Sequence, residues 1–269
     1  MTPRTIAAVL PSPEGASALG RAASGLAQTW EAHLIGMHAV APTAVPAGAE
    51  LSLSPVLAQG VREAQLDAAR QCRTRFAKAA PEAEWREMDS GDIVGTVLAS
   101  AARSADLVLT LQGDRAPERG GRHLQEAVIR GAGRPVLMLR DAPCAPFDAA
   151  LIGWADTREA ARTAFDLLPL LTEGARIRLV SVGEGEPMGR GGMADMATSL
   201  GRRGFDVTAA HRPLAGLRAH EALVREARDC GAAVTAIGGF GHSPAWHFVN
   251  GAVTNALMDA SETPVLVSR

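Results

Sequence analysis

An internal repeat constrains the fold of this chain more than any other feature. Short apolar runs alternate with helix-like stretches, and the same succession occurs twice along the 269 residues. The repeat is also visible locally, because Arg134–Arg140 mirrors Thr263–Arg269. Continuous apolar strands separated by helices are typical of a parallel sheet that is covered on both faces. The sequence therefore predicts an α/β protein with one doubly wound layer in each half.

The two halves contain the same order of predicted elements. For the first half we predict strands at residues 5–10, 33–40, 83–88, 106–111 and 135–139, and helices at 17–29, 61–79, 93–103 and 124–130. For the second half we predict strands at 149–154, 176–182, 205–211, 233–238 and 264–268, and helices at 158–171, 220–230 and 252–260.

The first half is longer because it carries extra residues between its second and fourth strands. The excess falls in Ala41–Ala80, where a Pro-containing irregular stretch precedes a long helix rich in Ala, Arg and Gln. Two prolines in Asp141–Pro146 break any continuing strand. We therefore predict two domains, residues 1–143 with the extra segment 41–80, and residues 144–269.

Composition limits the classes of function. A formal net charge of −2 leaves no electrostatic footprint for nucleic acid. Cys72, Cys144 and Cys230 are odd in number and scattered, which favours reduced thiols over a disulfide framework. The apolar run Ile6–Leu10 is too short for a signal peptide, and no run approaches transmembrane length. We expect a cytoplasmic protein with neither nucleic acid nor membrane as a partner.

A glycine-rich loop follows the predicted strand 233–238. Gly238 and Gly241 have two residues between them, and nine residues separate Gly241 from Gly251. Glycines at such a junction let backbone amides approach a phosphate closely, and the N-terminus of the next helix favours negative charge. In open α/β sheets, ligands bind beyond the carboxyl ends of the strands, where this loop lies. A phosphate cradle is the functional interpretation; a tight strand-to-helix turn is the structural one.

This loop resembles the nucleotide loop of the universal stress protein family, G-x2-G-x9-G-[ST], with its common Gly-His-Ser extension. The whole chain looks like two such domains fused head to tail. The resemblance implies five-stranded parallel sheets of order 3-2-1-4-5 with helices on both faces, and a pseudo-dimer in which the fifth strands pack together. Amides near Gly241, His242, Gly251, Ala252 and Val253 would then point at a di- or triphosphate. Ala252 replaces the usual Ser or Thr, which removes one donor and predicts weaker binding.

The turn after the first strand of the second half forms the other wall of the expected pocket. ATP-binding relatives carry an aspartate there, followed two residues later by Ser or Thr. With Thr157 at the hydroxyl position, Ala155 takes the place of the aspartate. Asp156 either substitutes for that aspartate or caps the helix that begins near Arg158. By resemblance, Val182 offers backbone groups to an adenine, and core burial is its compatible alternative.

The equivalent loop of the first half has lost this chemistry. Leu111 and Asp114 stand where the first two glycines belong, and Asp114 and Glu118 oppose phosphate. Arg115, Arg119 and Arg122 are interpreted as part of a solvated charged loop. The first half is therefore predicted to be a degenerate structural partner.

The sequence contains no recognised pattern for a metal site or a catalytic site. His242 and His247 are five residues apart, as are His33 and His38, and neither spacing places both rings on one face of a helix or strand. No P-loop, nucleophile elbow or C-x-x-C occurs. We expect no metal site and no catalytic residue.

We expect the chain to be a tandem universal stress protein that acts in the stress response. Its second domain would bind ATP or another adenine nucleotide, and the chain would be either a monomeric pseudo-dimer or a homodimer. The alternative is a nucleotide-free scaffold for protein partners, with Ala41–Ala80 as a surface element. A slow nucleotide-hydrolysing enzyme is a third possibility without candidate catalytic groups.

Overall fold

The structure is a computed structural model that describes residues 2–40, 55–89, 93–112, 121–140, 145–184, 190–240 and 252–269. Within these ranges the chain forms alternating strands and helices in both halves, as the sequence predicts. In the first half these are β1 (Thr5–Val9), α1 (Ala16–Trp30), β2 (His33–Val40), α2 (Pro55–Ala79), β3 (Glu84–Asp89), α3 (Val94–Ala101), β4 (Leu107–Leu111), α4 (Gly121–Gly131) and β5 (Val136–Leu139).

The second half repeats this order with small differences in length. A 3-10 turn follows α5, as one follows α3 in the first half. The elements are β6 (Phe147–Gly153), α5 (Arg158–Leu167), β7 (Leu171–Val182), α6 (Arg190–Gly201), β8 (Asp206–Arg212), α7 (Ala219–Asp229), β9 (Val234–Gly238), α8 (Ala252–Ala260) and β10 (Val265–Ser268).

The strand order confirms the predicted α/β topology. The first half follows the order β3-β2-β1-β4-β5, and the second half follows β8-β7-β6-β9-β10. Strands of one half pair in parallel, whereas the two fifth strands, β5 and β10, pair antiparallel with Leu137 opposite Leu266. Strand-to-strand contact between the fifth strands is what the family resemblance implies.

The chain divides into two compact units. The N-terminal unit comprises residues 4–110 and 114–132, and the C-terminal unit comprises 133–269 together with 1–3 and 111–113. β5 belongs to the C-terminal unit, where it pairs with β10. Gln112 belongs to the C-terminal unit too. Its backbone amide donates to the carbonyl of Leu139, and its side-chain Nε2 donates to the carbonyl of Thr263 at 2.8 Å.

Burial explains why the central strands are continuous apolar runs. Ile6, Ala7, Ala8 and Val9 of β1 have no solvent-exposed surface, and every residue of β4 is buried. A strand covered by helices on both faces has no polar side, so apolar residues replace the alternation of a half-exposed strand.

One helix is not predicted by the sequence analysis. Helix α6 has Gly191, Gly192 and Gly201 among its 12 residues, and glycine weakens both helix propensity and the apolar periodicity. Strand β7 also begins earlier than predicted, at Leu171, where a register shift near Phe147 lets it continue along β6. Residues 41–54, which contain the predicted irregular stretch, lie outside the described residues.

The N-terminal unit depends on one close contact between a glycine and an aromatic pair. The rings of Phe76 on α2 and Trp85 on β3 lie 5.7 Å apart and cover Gly36 of β2. A Cβ atom at Gly36 would overlap Phe76 Cε1 and lie 2.9 Å from Trp85 Cε3.

Gly36→Ala is therefore expected to lower the free energy of unfolding by about 1–3 kcal/mol, because the added methyl overpacks a filled core. The matched control is Gly25→Ala in α1, where a Cβ would meet nothing within 4 Å. That change is expected to raise the free energy of unfolding by about 0.5–1 kcal/mol through helix propensity. Urea unfolding measures both, and equal effects of the two substitutions would contradict the packing account.

Candidate nucleotide site

The two loops predicted to form the pocket begin side by side. β6 and β9 are parallel neighbours, with Gly153 opposite Ile237 at their carboxyl ends. β7 lies on the other side of β6, and β10 lies on the other side of β9. The chain therefore reverses its strand order between β6 and β9. Such a switch point opens a crevice beyond the strand ends in doubly wound folds.

Thr157 caps the helix that follows β6. Its hydroxyl oxygen accepts a hydrogen bond from the amide of Ala160 at 3.2 Å, and its backbone is extended, as an N-cap requires. Helix α5 begins at Arg158, as predicted. The interpretation of Asp156 as the cap is wrong, because Thr157 supplies the side-chain acceptor.

Asp156 instead adopts a left-handed conformation and faces another helix. Its φ is 50°, a region that aspartate tolerates better than most residues. Its carboxylate lies against Gly192 in the first turn of α6, where a Cβ atom would overlap Oδ1 and lie 2.9 Å from Cγ. The positive end of a helix favours a carboxylate in this position. Asp156 is solvent-exposed and Ala155 is half-buried in the same turn.

Gly238, the first glycine of the loop, is required for close packing. A Cβ atom there would lie 2.6 Å from the amide nitrogen of Ala160 and 2.8 Å from the carbonyl carbon of Glu159. Both atoms are backbone in the first turn of α5, so neither can move without shifting the helix. This contact brings the N-terminus of α5 directly against the end of β9.

Thr163 fixes the same helix to two strand ends. It is fully buried, and its hydroxyl donates to the carbonyl of Glu159 at 2.8 Å or to that of Ile237 at 3.1 Å. The same oxygen accepts from the amide of Ser268 at 3.2 Å. Thr163 was not among the predicted site residues, although a threonine on the apolar face of a helix is a recognisable signal of a buried hydrogen bond.

A second helix N-terminus reaches the end of β9. Helix α8 begins at Ala252, as predicted. The hydroxyl oxygen of its buried Thr254 accepts a hydrogen bond from the backbone amide of Phe240 at 3.5 Å. Phe240 is buried with a φ of 53°. Residues other than glycine are strained in the left-handed conformation, and such residues cluster at functional loops. Asp156 and Phe240 place one such residue in each of the two loops at the switch point.

Three residues predicted to line the cradle cannot be placed by the structure. Gly241, His242 and Gly251 lie outside the described residues, as does His247. Val253 is half-buried in the first turn of α8. Val182 is the last residue of β7, is 5% exposed and lies opposite Arg212 of β8. The burial alternative for Val182 therefore applies, and its proposed contact with adenine stays a prediction.

Glu159 contributes a negative charge that the sequence analysis missed. Burial disfavours ionisation of this side chain, but the Arg158 guanidinium, whose Nε donates to Oε1 at 2.6 Å, lowers the pKa of the carboxyl below its ordinary value, helped by the Glu159 amide and the Thr157 hydroxyl. Ala160 donates to Thr157, so the first turn of α5 is largely satisfied by protein groups. Donors for an incoming phosphate would have to come mainly from the loop and from α8.

A serine and a histidine pair at the ends of the next two strands. Ser181 Oγ lies 2.8 Å from His211 Nδ1, and the two residues are register partners on β7 and β8. His211 Nε2 is buried and has no hydrogen-bond partner among the described residues. From the sequence, His211 was predicted only as the last residue of a strand. The signal that could have revealed the pair is that Ser181 and His211 both lie near the carboxyl ends of two successive predicted strands.

A cavity of about 720 Å³ lies elsewhere in the C-terminal unit, between β6, β7, β8 and α7. It contains none of the predicted site residues. Its polar part is organised by Glu226, which accepts from Arg178 Nε and from Arg212 Nε, each at 2.9 Å. Burial disfavours the charge on Glu226, but the hydrogen bonds from Arg212 and Arg178 lower the pKa of its carboxyl below the ordinary value.

None of the described helices is long and apolar enough to cross a membrane. The described residues contain no group of three or more His, Cys, Asp or Glu side chains arranged to hold a metal ion.

Replacing Thr157 tests the assignment of the cap. Thr157→Ala is expected to lower the free energy of unfolding by about 1 kcal/mol, because the amide of Ala160 loses its acceptor. Thr157→Ser keeps the hydroxyl and is expected to change stability by only a few tenths of that value. Urea unfolding of both variants measures the difference. A serine variant as unstable as the alanine variant would contradict the cap.

The Glu226 ion pairs predict a pH dependence of stability. A folded-state pKa below the unfolded value near 4.5 contributes stability that is present above pH 4.5 and is lost as the pH falls through the folded pKa. Glu226→Gln is expected to lower the free energy of unfolding by about 2 kcal/mol at neutral pH. The difference from the parent protein should shrink below pH 4.5.

The control for this comparison is Glu173→Gln, at an exposed position of β7. Chemical unfolding measured from neutral pH to acid should show no comparable difference for that variant. A Glu226→Gln effect that does not change on acidification would rule out the ion pairs as its cause.

No protein-family model matches the chain. No curated protein matches it either. Solved structures do match. A universal stress protein from Archaeoglobus fulgidus DSM 4304 superposes with a TM-score of 0.69 at 12% identity, over 98% of this chain and 96% of that chain.

Two structures from Pseudomonas aeruginosa also match over almost the full length. A protein from strain UCBPP-PA14, assigned provisionally to the universal stress proteins, has a TM-score of 0.55 at 18% identity and covers 99% of this chain and 93% of its own. A protein of unknown function from strain PAO1 has a TM-score of 0.54 at 17% identity, with 99% and 92% covered. The chain therefore has the fold of the universal stress proteins, with two such domains in tandem.

Proposed function

We propose that the chain is a tandem universal stress protein whose C-terminal repeat binds an adenine nucleotide. The nucleotide would regulate the protein rather than be turned over. The first repeat would serve as a structural partner without a nucleotide of its own. The protein would act in the stress response.

The observation that carries the proposal is the meeting of two helix N-termini at the end of β9. Gly238 abuts the first turn of α5, and Phe240 lies within hydrogen-bond distance of Thr254 in the first turn of α8. Helix N-termini present unpaired amides and a positive dipole, both of which favour a phosphate. The spacing of Gly238, Gly241 and Gly251 in the sequence is that of a loop whose backbone amides would also approach a phosphate.

Adenine is the base that the family resemblance favours. Strand β7 ends at Val182 one strand away from β6, so its terminal backbone groups are candidates for hydrogen bonds to the base. The phosphates would then lie toward α8. ATP, ADP and AMP would differ in how many phosphate oxygens reach the amides of the loop.

A nucleotide-free scaffold is the second candidate, and specific observations favour it. The packing of Gly238 on α5 accounts for that glycine without any ligand. Glu159 adds a buried carboxylate to the same region, and Ala155 and Ala252 lack the side chains that ATP-binding relatives use. A nucleotide-hydrolysing enzyme is a weaker third candidate, because the Ser181–His211 pair lies at the ends of β7 and β8 rather than at the switch point.

Restoring the missing hydroxyl provides the sharpest test. Ala252→Ser is expected to tighten the binding of ATP by about 2- to 10-fold, because one additional hydrogen bond contributes about 0.5–1.5 kcal/mol. Gly251→Val is expected to abolish binding by blocking the close approach of phosphate. Isothermal titration calorimetry with ATP, ADP and AMP measures all three proteins.

The matched control is Ala260→Ser, the same substitution at the exposed other end of α8. It should leave the affinity unchanged. Absence of heat and of any thermal shift with saturating ATP, for both the parent protein and Ala252→Ser, would leave the scaffold as the function. Multiple-turnover phosphate release well above background would favour the enzyme.

A further inference from the structure

Strand β8 is an edge of the sheet in the C-terminal unit. It pairs with β7 on one side, and no strand of the described residues pairs with its other side. The strand is seven residues long and contains two consecutive alanines, of which Ala209 is exposed. An edge strand presents a row of backbone donors and acceptors to solvent and is a template for pairing with another chain.

The direction of the outward backbone groups follows from one hydrogen bond. The amide of Gly183, just after β7, donates to the carbonyl of Arg212 at 3.1 Å, so the backbone of Arg212 faces β7. In a parallel pair, alternate residues direct their amide and carbonyl groups to opposite sides. Val207, Ala209 and His211 therefore direct theirs away from the sheet.

The sequence of β8 is complementary to itself. In an antiparallel pair centred on Ala209, Val207 lies opposite His211 of the second copy, and Ala209 lies opposite its own counterpart. All of these residues have outward backbone groups, so three residue pairs exchange two hydrogen bonds each, about six in total. The register uses the full length of the strand.

The same register pairs opposite charges. Asp206 lies opposite Arg212 of the second copy, and the symmetry creates this pair twice. Both residues occupy positions without inter-chain hydrogen bonds, where side chains of antiparallel strands approach most closely. Arg212 already donates its Nε to Glu226, but a guanidinium has five N–H donors, and its side chain is 45% exposed.

The other edge strand, β3 in the N-terminal unit, lacks this complementarity. A two-fold pair of β3 with the longest overlap is centred on Arg86 or on Glu87, and each choice places a charge directly opposite its own copy. Like charges directly opposite each other destabilise a strand pair. Protective charges of this kind are how proteins prevent association at sheet edges, and β8 has alanine at the equivalent centre.

We propose that β8 is a homodimerisation edge, where two copies of the chain pair their β8 strands antiparallel about Ala209. The interface consists of backbone hydrogen bonds flanked by two Asp206–Arg212 ion pairs. Its area is that of a single strand edge, which is typical of a reversible dimer. The proposal does not depend on nucleotide binding.

Charge at the centre tests the dimer. Ala209→Lys places two ammonium groups opposite each other and is expected to convert the dimer to a monomer at all concentrations. Asp206→Arg opposes Arg212 of the second copy and should weaken the dimer at least tenfold. Sedimentation velocity over a wide concentration range measures the association, and circular dichroism confirms that each variant is folded.

Two matched controls identify the surface. Ala260→Lys introduces the same charge at an exposed position of α8 and should leave the association constant unchanged. Glu87→Lys alters the other edge and should also leave it unchanged. A parent protein that is monomeric throughout the concentration range, or a dimer that survives Ala209→Lys, overturns the proposal.

A cross-linking experiment reports the register directly. Ala209→Cys, in a background with Cys144 and Cys230 replaced by Ser, places two thiols at the dimer axis, where the Cα separation of about 5.5 Å suits a disulfide. Mild oxidation is expected to give a covalent dimer much faster than for Ala260→Cys in the same background. Equal rates for the two variants would reject the proposed register.

Discussion

The C-terminal unit depends on the contact between the end of β9 and the first turn of α5. Only glycine at position 238 permits the amide of Ala160 to lie so close to the strand, and Thr163 ties the same helix to the carbonyl of Ile237 and the amide of Ser268. Because both strand ends are fixed to one helix, the chain that leaves β9 must turn immediately. Phe240 makes this turn in a left-handed conformation and approaches Thr254 of α8. The closeness of α5 and α8 to the end of β9 thus follows from packing.

The two helix N-termini near the end of β9 differ in how well their positive ends are compensated. At α5, Thr157 accepts from Ala160, and the ionised Glu159 offsets the positive end of the helix. At α8, the first turn contains no acidic residue. The dipole of α8 is therefore less compensated than that of α5. An anion would therefore be attracted more strongly to the N-terminus of α8 than to that of α5.

Periodicity predicted the fold well where packing follows sequence locally. The bounds of β2 and α8 agree with the prediction, because apolar runs and their flanking residues define both elements. Helix α6 was missed because its glycines hide the helical pattern, although its position between β7 and β8 is dictated by topology. Of the two predicted roles of Asp156, capping is wrong by one residue, since aspartate and threonine are both good N-caps and only the backbone conformation distinguishes them.

Long-range polar pairs were beyond the sequence argument for a different reason. Glu226 meets Arg178 across 48 residues, and Ser181 meets His211 across 30 residues. Each pair depends on strand register and on the rotation of a helix, neither of which is encoded by spacing along the chain. The glycine pattern is the opposite case, because its spacing is local and can be seen in the sequence, and its flanking elements β9 and α8 have the predicted positions along the chain.

The two repeats share a topology but differ in how their outer strands are covered. In the N-terminal unit, the 25-residue helix α2 brings Phe76 over Gly36 and Trp85. The corresponding α6 has 12 residues, and its glycine at 192 leaves room for the carboxylate of Asp156. The length of α2 therefore serves an aromatic contact over β2, whereas the glycine at position 192 of α6 serves a close contact with the carboxylate in the turn after β6.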